Sequence, residues 1–139
     1  MDIIISENTK QKIIKHADLS YPNECCGILF GNRKNNDTLI LTDVKETENN
    51  LDSGKEFEIN PLEVYRAEKE YKEKNLELIG FYHSHPDKRA VLSEKDKRNM
   101  IPGMVYIIVS VNGSGVKEAG IWMITGPDSE IDEIRGVGL

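Results

Sequence analysis

An α/β fold is predicted by three features of the chain. Apolar runs of strand length alternate with longer stretches of helical pattern, helix starts carry recognisable caps, and the most apolar run, residues 105–111, stands between two other strand candidates. The 139 residues suit one domain, 1–139, long enough to bury about two-thirds of the surface its unfolded chain would expose.

In chain order, Ile3, Ile4 and Ile5 start a short strand, and Ser6 then caps a helix running to about residue 19 with Ile13, Ile14 and Ala17 inward. Residues 25–30, closed by Gly31-Asn32, read as a buried strand and turn, with residues 38–44 as the hairpin partner. Residues 45–55 are polar and read as a surface loop able to cover a site, and residues 57–59 are short and extended. Asn60, Pro61 and Glu63 form a helix start. That helix reaches about residue 75 with Leu62, Tyr65 and Tyr71 inward.

Residues 76–82 form the next strand, and Pro86, which has no N–H to donate, ends regular pairing. A loop over residues 87–92 leads to a short helix opened by Ser93-Glu94-Lys95-Asp96 and ended near Met100, before Pro102-Gly103. Residues 105–111 are the central strand. Residues 116–125 return antiparallel after Asn112-Gly113, Gly126-Pro127-Asp128 turns again, and residues 129–135 make a final, more polar strand.

Composition excludes several function classes. Hydrophobic residues make up 38% and charged ones 30%, a globular balance, and no run approaches the ~20 apolar residues of a membrane span. The opening Met1-Asp2-Ile3-Ile4-Ile5-Ser6 lacks the features of a secretory signal, so the cytoplasm is the expected location. A net charge of −6 argues against nucleic-acid backbones and anionic membranes as partners. Lys88-Arg89 and Lys95 to Arg98 are read as solvated loop charge. Cys25 and Cys26 are the only cysteines; adjacent strand residues face opposite sides, so both read as small core residues rather than ligands of one ion. His16 has no partner at ligand spacing and reads as a packed or solvated histidine.

The chemistry gathers at His83-Ser84-His85-Pro86, followed after ten residues by Asp96. Side chains alternate along an extended segment, so His83 and His85 share a face and Ser84 takes the other. Zinc accepts imidazole and carboxylate ligands, and a catalytic site keeps three protein ligands with water in the fourth position. His83, His85 and Asp96 supply three. Each half is weak alone, because a His-x-His pair arises by chance and Ser93-x-x-Asp96 is also an ordinary capping box. Nothing in spacing separates Glu24 from the other acidic residues.

The string His83-Ser84-His85-Pro86, six residues, Ser93, two residues, Asp96 resembles the JAMM motif of the MPN-domain metalloproteases. Pro22-Asn23-Glu24-Cys25-Cys26-Gly27-Ile28-Leu29-Phe30-Gly31 is similar to that family's first-strand signature. The resemblance covers nearly the whole chain and is closest to the compact stand-alone prokaryotic members. It implies a single MPN domain, cytidine-deaminase-like, in which a curved mixed β-sheet lies between α-helices. It further implies one Zn2+ held by His83, His85 and Asp96, with Glu24 as general base and then acid, and Ser93 helping to stabilise the oxyanion. The implied activity is a zinc-dependent peptidase or isopeptidase cutting after the C-terminal Gly-Gly tail of a ubiquitin-like or sulfur-carrier protein. A zinc amidohydrolase or deaminase acting on a small molecule, and a non-catalytic binding module for ubiquitin-like proteins, are the alternatives.

Overall fold

A computed structural model describes residues 1–49, 59–126 and 130–134, with the backbone of 136–137. The elements are β1 (Asp2–Ile5), α1 (Glu7–Ser20), β2 (Cys26–Asn35), β3 (Thr38–Thr47), α2 (Pro61–Lys72), β4 (Glu77–Pro86), α3 (Glu94–Asn99), β5 (Val105–Asn112), β6 (Gly115–Ile124), β7 (Ile131–Glu133) and β8 (Gly136–Val137). The strands form one sheet in the order β7-β6-β5-β4-β2-β3-β1-β8. It is mixed: β4 pairs antiparallel with β2 and parallel with β5. The apolar run expected at the centre is β5, and β4 beside it is likewise covered on both edges.

Helices cover both faces, as the family resemblance implies. Ile13 and Ala17 of α1 pack against Ile3, Leu29, Leu41, Tyr82 and Ile107. Each buried Ile or Leu among them, taken from water, stabilises the fold by about 1.5–3 kcal/mol. On the opposite face Ala67 and Tyr71 of α2 cover Ile28 and Phe30, with the Tyr71 ring stacked on Phe30 at a centroid distance of 3.9 Å. A third cluster of Ala90, Met100, Ile108 and Trp122 lies beneath the segment around α3.

A bulge in β4 decides which face receives the histidines. Gly80 pairs with Leu29 and Leu78 with the next residue, Phe30, so Ile79 is one residue in excess and the alternation resets there. Beyond it Phe81 packs on the α2 side and Tyr82 on the α1 side. His83 and His85 therefore follow Phe81, and Ser84 follows Tyr82. Gly80 permits the approach of β5, because a Cβ there would overlap the Val105 carbonyl.

Several local expectations need correction. The chain does not turn at Gly31-Asn32: β2 continues to Asn35 and the hairpin closes at Asn36-Asp37, where the Asn35 side chain accepts from the Asp37 N–H at 2.8 Å. Gly31 serves a bulge instead, since a Cβ there would overlap the Ile40 carbonyl of the partner strand. Leu62 and Tyr65 are exposed rather than inward. With Asn60 as cap and Pro61 first in the helix, the row at spacings of three and four that meets the sheet is Val64, Ala67 and Tyr71, while Tyr65 carries Lys69 Nζ 5.0 Å over its ring. The polar stretch expected as a loop over 45–55 begins as strand, since β3 runs to Thr47; residues 50–58 lie outside the described residues, with most of the extended segment expected at 57–59. Of the last turn and strand, 127–129 and 135 also lie outside them, and β7 spans Ile131–Glu133.

Candidate metal centre

His83 and His85 stand on a strand flanked on both edges, and their residues are only 2% and 6% exposed. The third group arrives from α3, which is six residues long and held open at its start by a full capping box. Ser93 Oγ accepts from the Asp96 N–H at 3.0 Å, and Asp96 Oδ2 accepts from the Ser93 N–H at 2.8 Å. This reciprocal pair satisfies two backbone donors and fixes where the Asp96 carboxylate points. It points at the histidines: Oδ1 lies 3.1 Å from His83 Nε2, and Oδ2 lies 3.3 Å from His85 Nε2. The capping box and the cluster are one arrangement.

The two Nε2 atoms are 3.2 Å apart. Two nitrogen ligands of a tetrahedral zinc at 2.0–2.1 Å stand about 3.3 Å from one another, so the pair fits a shared ion. His85 also has its tautomer assigned. Its Nδ1 lies 3.0 Å from the Arg89 carbonyl oxygen, which can only accept, so Nδ1 carries a proton; in the charged ring Nε2–H also donates to Asp96, and in the neutral ring the lone pair lies on Nε2, facing inward.

Glu24 comes from the segment that enters β2. It is 4% exposed, and among the described residues nothing hydrogen-bonds to its buried Oε2. Its ligand atom and those of His83 and His85 all lie within 4.8 Å of one another. The histidine pair thus faces two carboxylates, one fastened by a capping box and one with an oxygen left unpartnered. Glu24's backbone is anchored nearby: the Asn49 amide donates to its carbonyl at 3.1 Å, and Ser84 Oγ accepts the Cys25 N–H at 2.8 Å. That gives Ser84, on the face away from the histidines, a backbone contact beside the site.

Electrostatics separate the four groups. Burial pushes the Glu24 carboxyl up to about 7, with positive His85 opposing and negative Asp96 adding. Burial acts upward on Asp96 as well, but hydrogen bonds from His83 and His85 outweigh it and hold that carboxyl well below the usual carboxylate range. Burial pulls His83 below the ordinary imidazole value against the pull of Asp96. For His85 burial again acts downward, and the contacts with Asp96 and the Arg89 carbonyl overcome it and raise the imidazole. One carboxyl is committed to charge, while the other is poised near neutrality to exchange a proton.

All five residues singled out in the sequence, Glu24, His83, His85, Ser93 and Asp96, thus belong to one neighbourhood. His16 is elsewhere, with Nδ1 2.7 Å from the Tyr82 hydroxyl on the α1 side. Cys25 and Cys26 are buried free thiols. A cavity of about 560 Å³ adjoins the cluster at His83 and Asp96, walled by Ile59, Val64, Phe81, Leu92, Ile101 and Tyr106. Sequence reasoning missed the Arg89 carbonyl and the contacts of Ser84 and Asn49, because backbone acceptors and second partners leave no residue-type signature. Among the described residues no helix is long and apolar enough to cross a membrane.

The sequence and the fold have counterparts among known proteins. The profile of the prokaryotic homologs of the JAB domain matches residues 6–125. The chain is 32% identical over 134 residues to a desampylase of Pyrococcus furiosus, covering 96% of this chain and 88% of that protein. It is 29% identical over 115 residues to a desampylase of Haloferax volcanii, covering 78% and 81%. A protein of Desulfitobacterium hafniense of known solution structure is similar with a TM-score of 0.84 at 28% identity, covering 97% of this chain and 91% of that one. One from Salinibacter ruber gives 0.73 at 26%, covering 96% and 89%. The family match takes in the strand that carries the two histidines, the capping box that delivers Asp96 and the segment that presents Glu24, and on it this chain belongs to the prokaryotic JAB-domain branch of the JAMM/MPN family.

Proposed function

We propose that the protein is a zinc-dependent isopeptidase or peptidase that hydrolyses the amide bond after the C-terminal Gly-Gly tail of a ubiquitin-like or sulfur-carrier protein, in the cytoplasm. The observation that carries the reading is the convergence of His83, His85 and Asp96 on one point with the buried, unpartnered carboxylate oxygen of Glu24 beside them. The substrate class rests on the desampylase name of the two relatives and on the motif resemblance.

His83 Nε2, His85 Nε2 and an Asp96 oxygen would hold the ion. Zinc bound there would supply Lewis acidity toward a carbonyl oxygen and lower the pKa of water to about 7. Glu24 accepts the proton of the attacking water and later returns it to the nitrogen of the departing amine, a task suited to a carboxyl poised near 7. Ser93 Oγ uses a lone pair on the Asp96 N–H, which leaves its O–H proton to donate to the carbonyl oxygen as negative charge develops there. The apolar cavity beside His83 offers the substrate a water-poor wall.

The test presents the zinc-loaded protein with Gly-Gly-tailed ubiquitin-like proteins, extended by a dipeptide or joined through a lysine side chain, and weighs the products. Cleavage after the second glycine is expected, and Glu24→Gln should retain zinc while losing about 10²–10⁴-fold in turnover. Zinc-loaded protein that leaves the whole panel intact would sink the substrate assignment; turnover of small amides alone would favour a small-molecule hydrolase, and an E24Q variant as active as wild type would remove Glu24 from the mechanism.

A further inference from the structure

The tautomer of His85 depends on the Arg89 carbonyl, and Arg89 sits in the loop between β4 and α3 rather than in an element of its own. Three contacts hold that loop to the sheet. Ser110 Oγ donates to the Lys88 carbonyl, the Ala90 N–H donates to Glu118 Oε1 at 3.0 Å, and Arg89 Nε donates to the same oxygen at 3.3 Å. These contacts bracket the Arg89 carbonyl: one grips the peptide before it and one the peptide N–H that follows it.

The gripping side chains are aligned with the histidine they serve. His85 on β4 pairs in register with Ser110 on β5, and Ser110 pairs with Glu118 on β6. One cross-strand row therefore carries a metal-ligand candidate and two groups that fasten the backbone above it. Ser110 is itself a buried polar residue, and Glu118 is half-exposed, so neither is placed for bulk packing alone. The Ala90 N–H, and then Arg89, hold the Glu118 carboxyl below the usual carboxylate range, which keeps it an acceptor at neutral pH.

We infer that Glu118 and Ser110 are positioning residues for the metal centre: they fix the Lys88–Ala90 backbone so that the Arg89 carbonyl accepts the hydrogen bond of the His85 Nδ1–H and leaves Nε2 to face the ion. The inference rests on reading His83, His85 and Asp96 as the ligands. It adds that the orientation of one ligand is set from β6, more than thirty residues downstream, by a carboxylate that touches neither metal nor substrate. Outer partners of ligating histidines act in this way by fixing ring orientation and raising basicity, and their loss weakens metal binding by about 10–100-fold.

The test uses the full chain, with zinc affinity measured by competition against a chromophoric chelator and exchange of the His85 Nδ1–H followed by NMR in the zinc-loaded protein. Glu118→Ala should weaken zinc binding at least ~10-fold and speed loss of the Nδ1–H signal, whereas Glu118→Gln, whose amide oxygen still accepts from Ala90, should stay within about threefold of wild type. Ser110→Ala, expected to act in the same direction by severalfold, carries the test should E118A not fold. Wild-type zinc affinity and unchanged Nδ1–H exchange in E118A would overturn the inference, as would weaker binding in E118A with unchanged exchange. Wild-type protein that takes up no zinc would overturn the ligand reading itself, a result visible before any variant is compared.

Discussion

Removing the charge of Glu24 should make the metal-free protein more stable while lowering the proposed turnover by about 10²–10⁴-fold. The Glu24 carboxyl stands near 7 in the fold, mainly through burial, against 4.5 as its ordinary value. Because the folded value is the higher one, the folded state holds the proton more tightly than the unfolded chain. The stabilising effect of that proton is complete below about pH 4.5 and is lost as pH rises to about 7. At 1.36 kcal/mol per pH unit the gap bounds the loss at about 3 kcal/mol. Some solvation of the carboxylate persists at the mouth of the site, so about 2 kcal/mol is the working figure. Glu24→Gln keeps the shape and removes the charge. Urea unfolding in the presence of a chelator should therefore show E24Q about 2 kcal/mol more stable than wild type at pH 8, with the two converging near pH 4.5. Zinc should shrink the difference at pH 8, since the ion's charge favours the carboxylate. A difference that is flat with pH, or an E24Q variant less stable than wild type at pH 8, would refute the view that burial of an unpartnered carboxylate governs this residue.

Three further outcomes follow from the same contacts. Ser93→Ala removes both the cap of α3 and the donor proposed for the oxyanion, so unfolding should show a loss of about 0.5–2 kcal/mol and kinetics a fall of about 10²-fold in kcat, with Ser93→Thr restoring both. Gly80→Ala should cost about 3 kcal/mol or more in denaturant unfolding, because its Cβ would force β4 from β5 at the Val105 carbonyl, and zinc uptake should fall with it. Cys25 and Cys26 should resist a thiol reagent at pH 8 until the protein is unfolded, since burial pushes their thiols up to about 12 and about 11; rapid labelling of the native protein would contradict that burial.

Much of the molecule was legible in one dimension. The helix starts at Ser6, Asn60 and Ser93 are capping signals, and all three hold. The strand at 105–111 is marked by its hydrophobicity, and the grouping of His83, His85 and Asp96 by two histidines at strand spacing followed by a serine and an aspartate at capping-box spacing. Less legible were features that depend on a partner strand. Gly31 and Gly80 look like turn or strand glycines in sequence, yet each is required by the backbone of a neighbour. The inward face of α2 differs from expectation because Leu62 and Tyr65 repeat at the same three-residue spacing as Val64 and Ala67, and only docking on Ile28 and Phe30 chooses between the two rows. The Ser110 and Glu118 contacts with the 88–90 loop carry no local pattern at all.

The sequence by itself determined the elements, their caps and the chemical identity of the cluster, because these follow from residue type and from spacings of two, three or four positions. The tertiary structure alone decided where the groups meet and how charge is divided among them. A one-residue bulge at Ile79 placed His83 and His85 on the face covered by α2, and the pairing of β2 with β4 brought Glu24 beside residues some sixty positions away. Charge is what makes that proximity matter: of two chemically similar carboxyls, Asp96, hydrogen-bonded to the histidines, stays ionised, and Glu24, buried with an unpartnered oxygen, is held near 7.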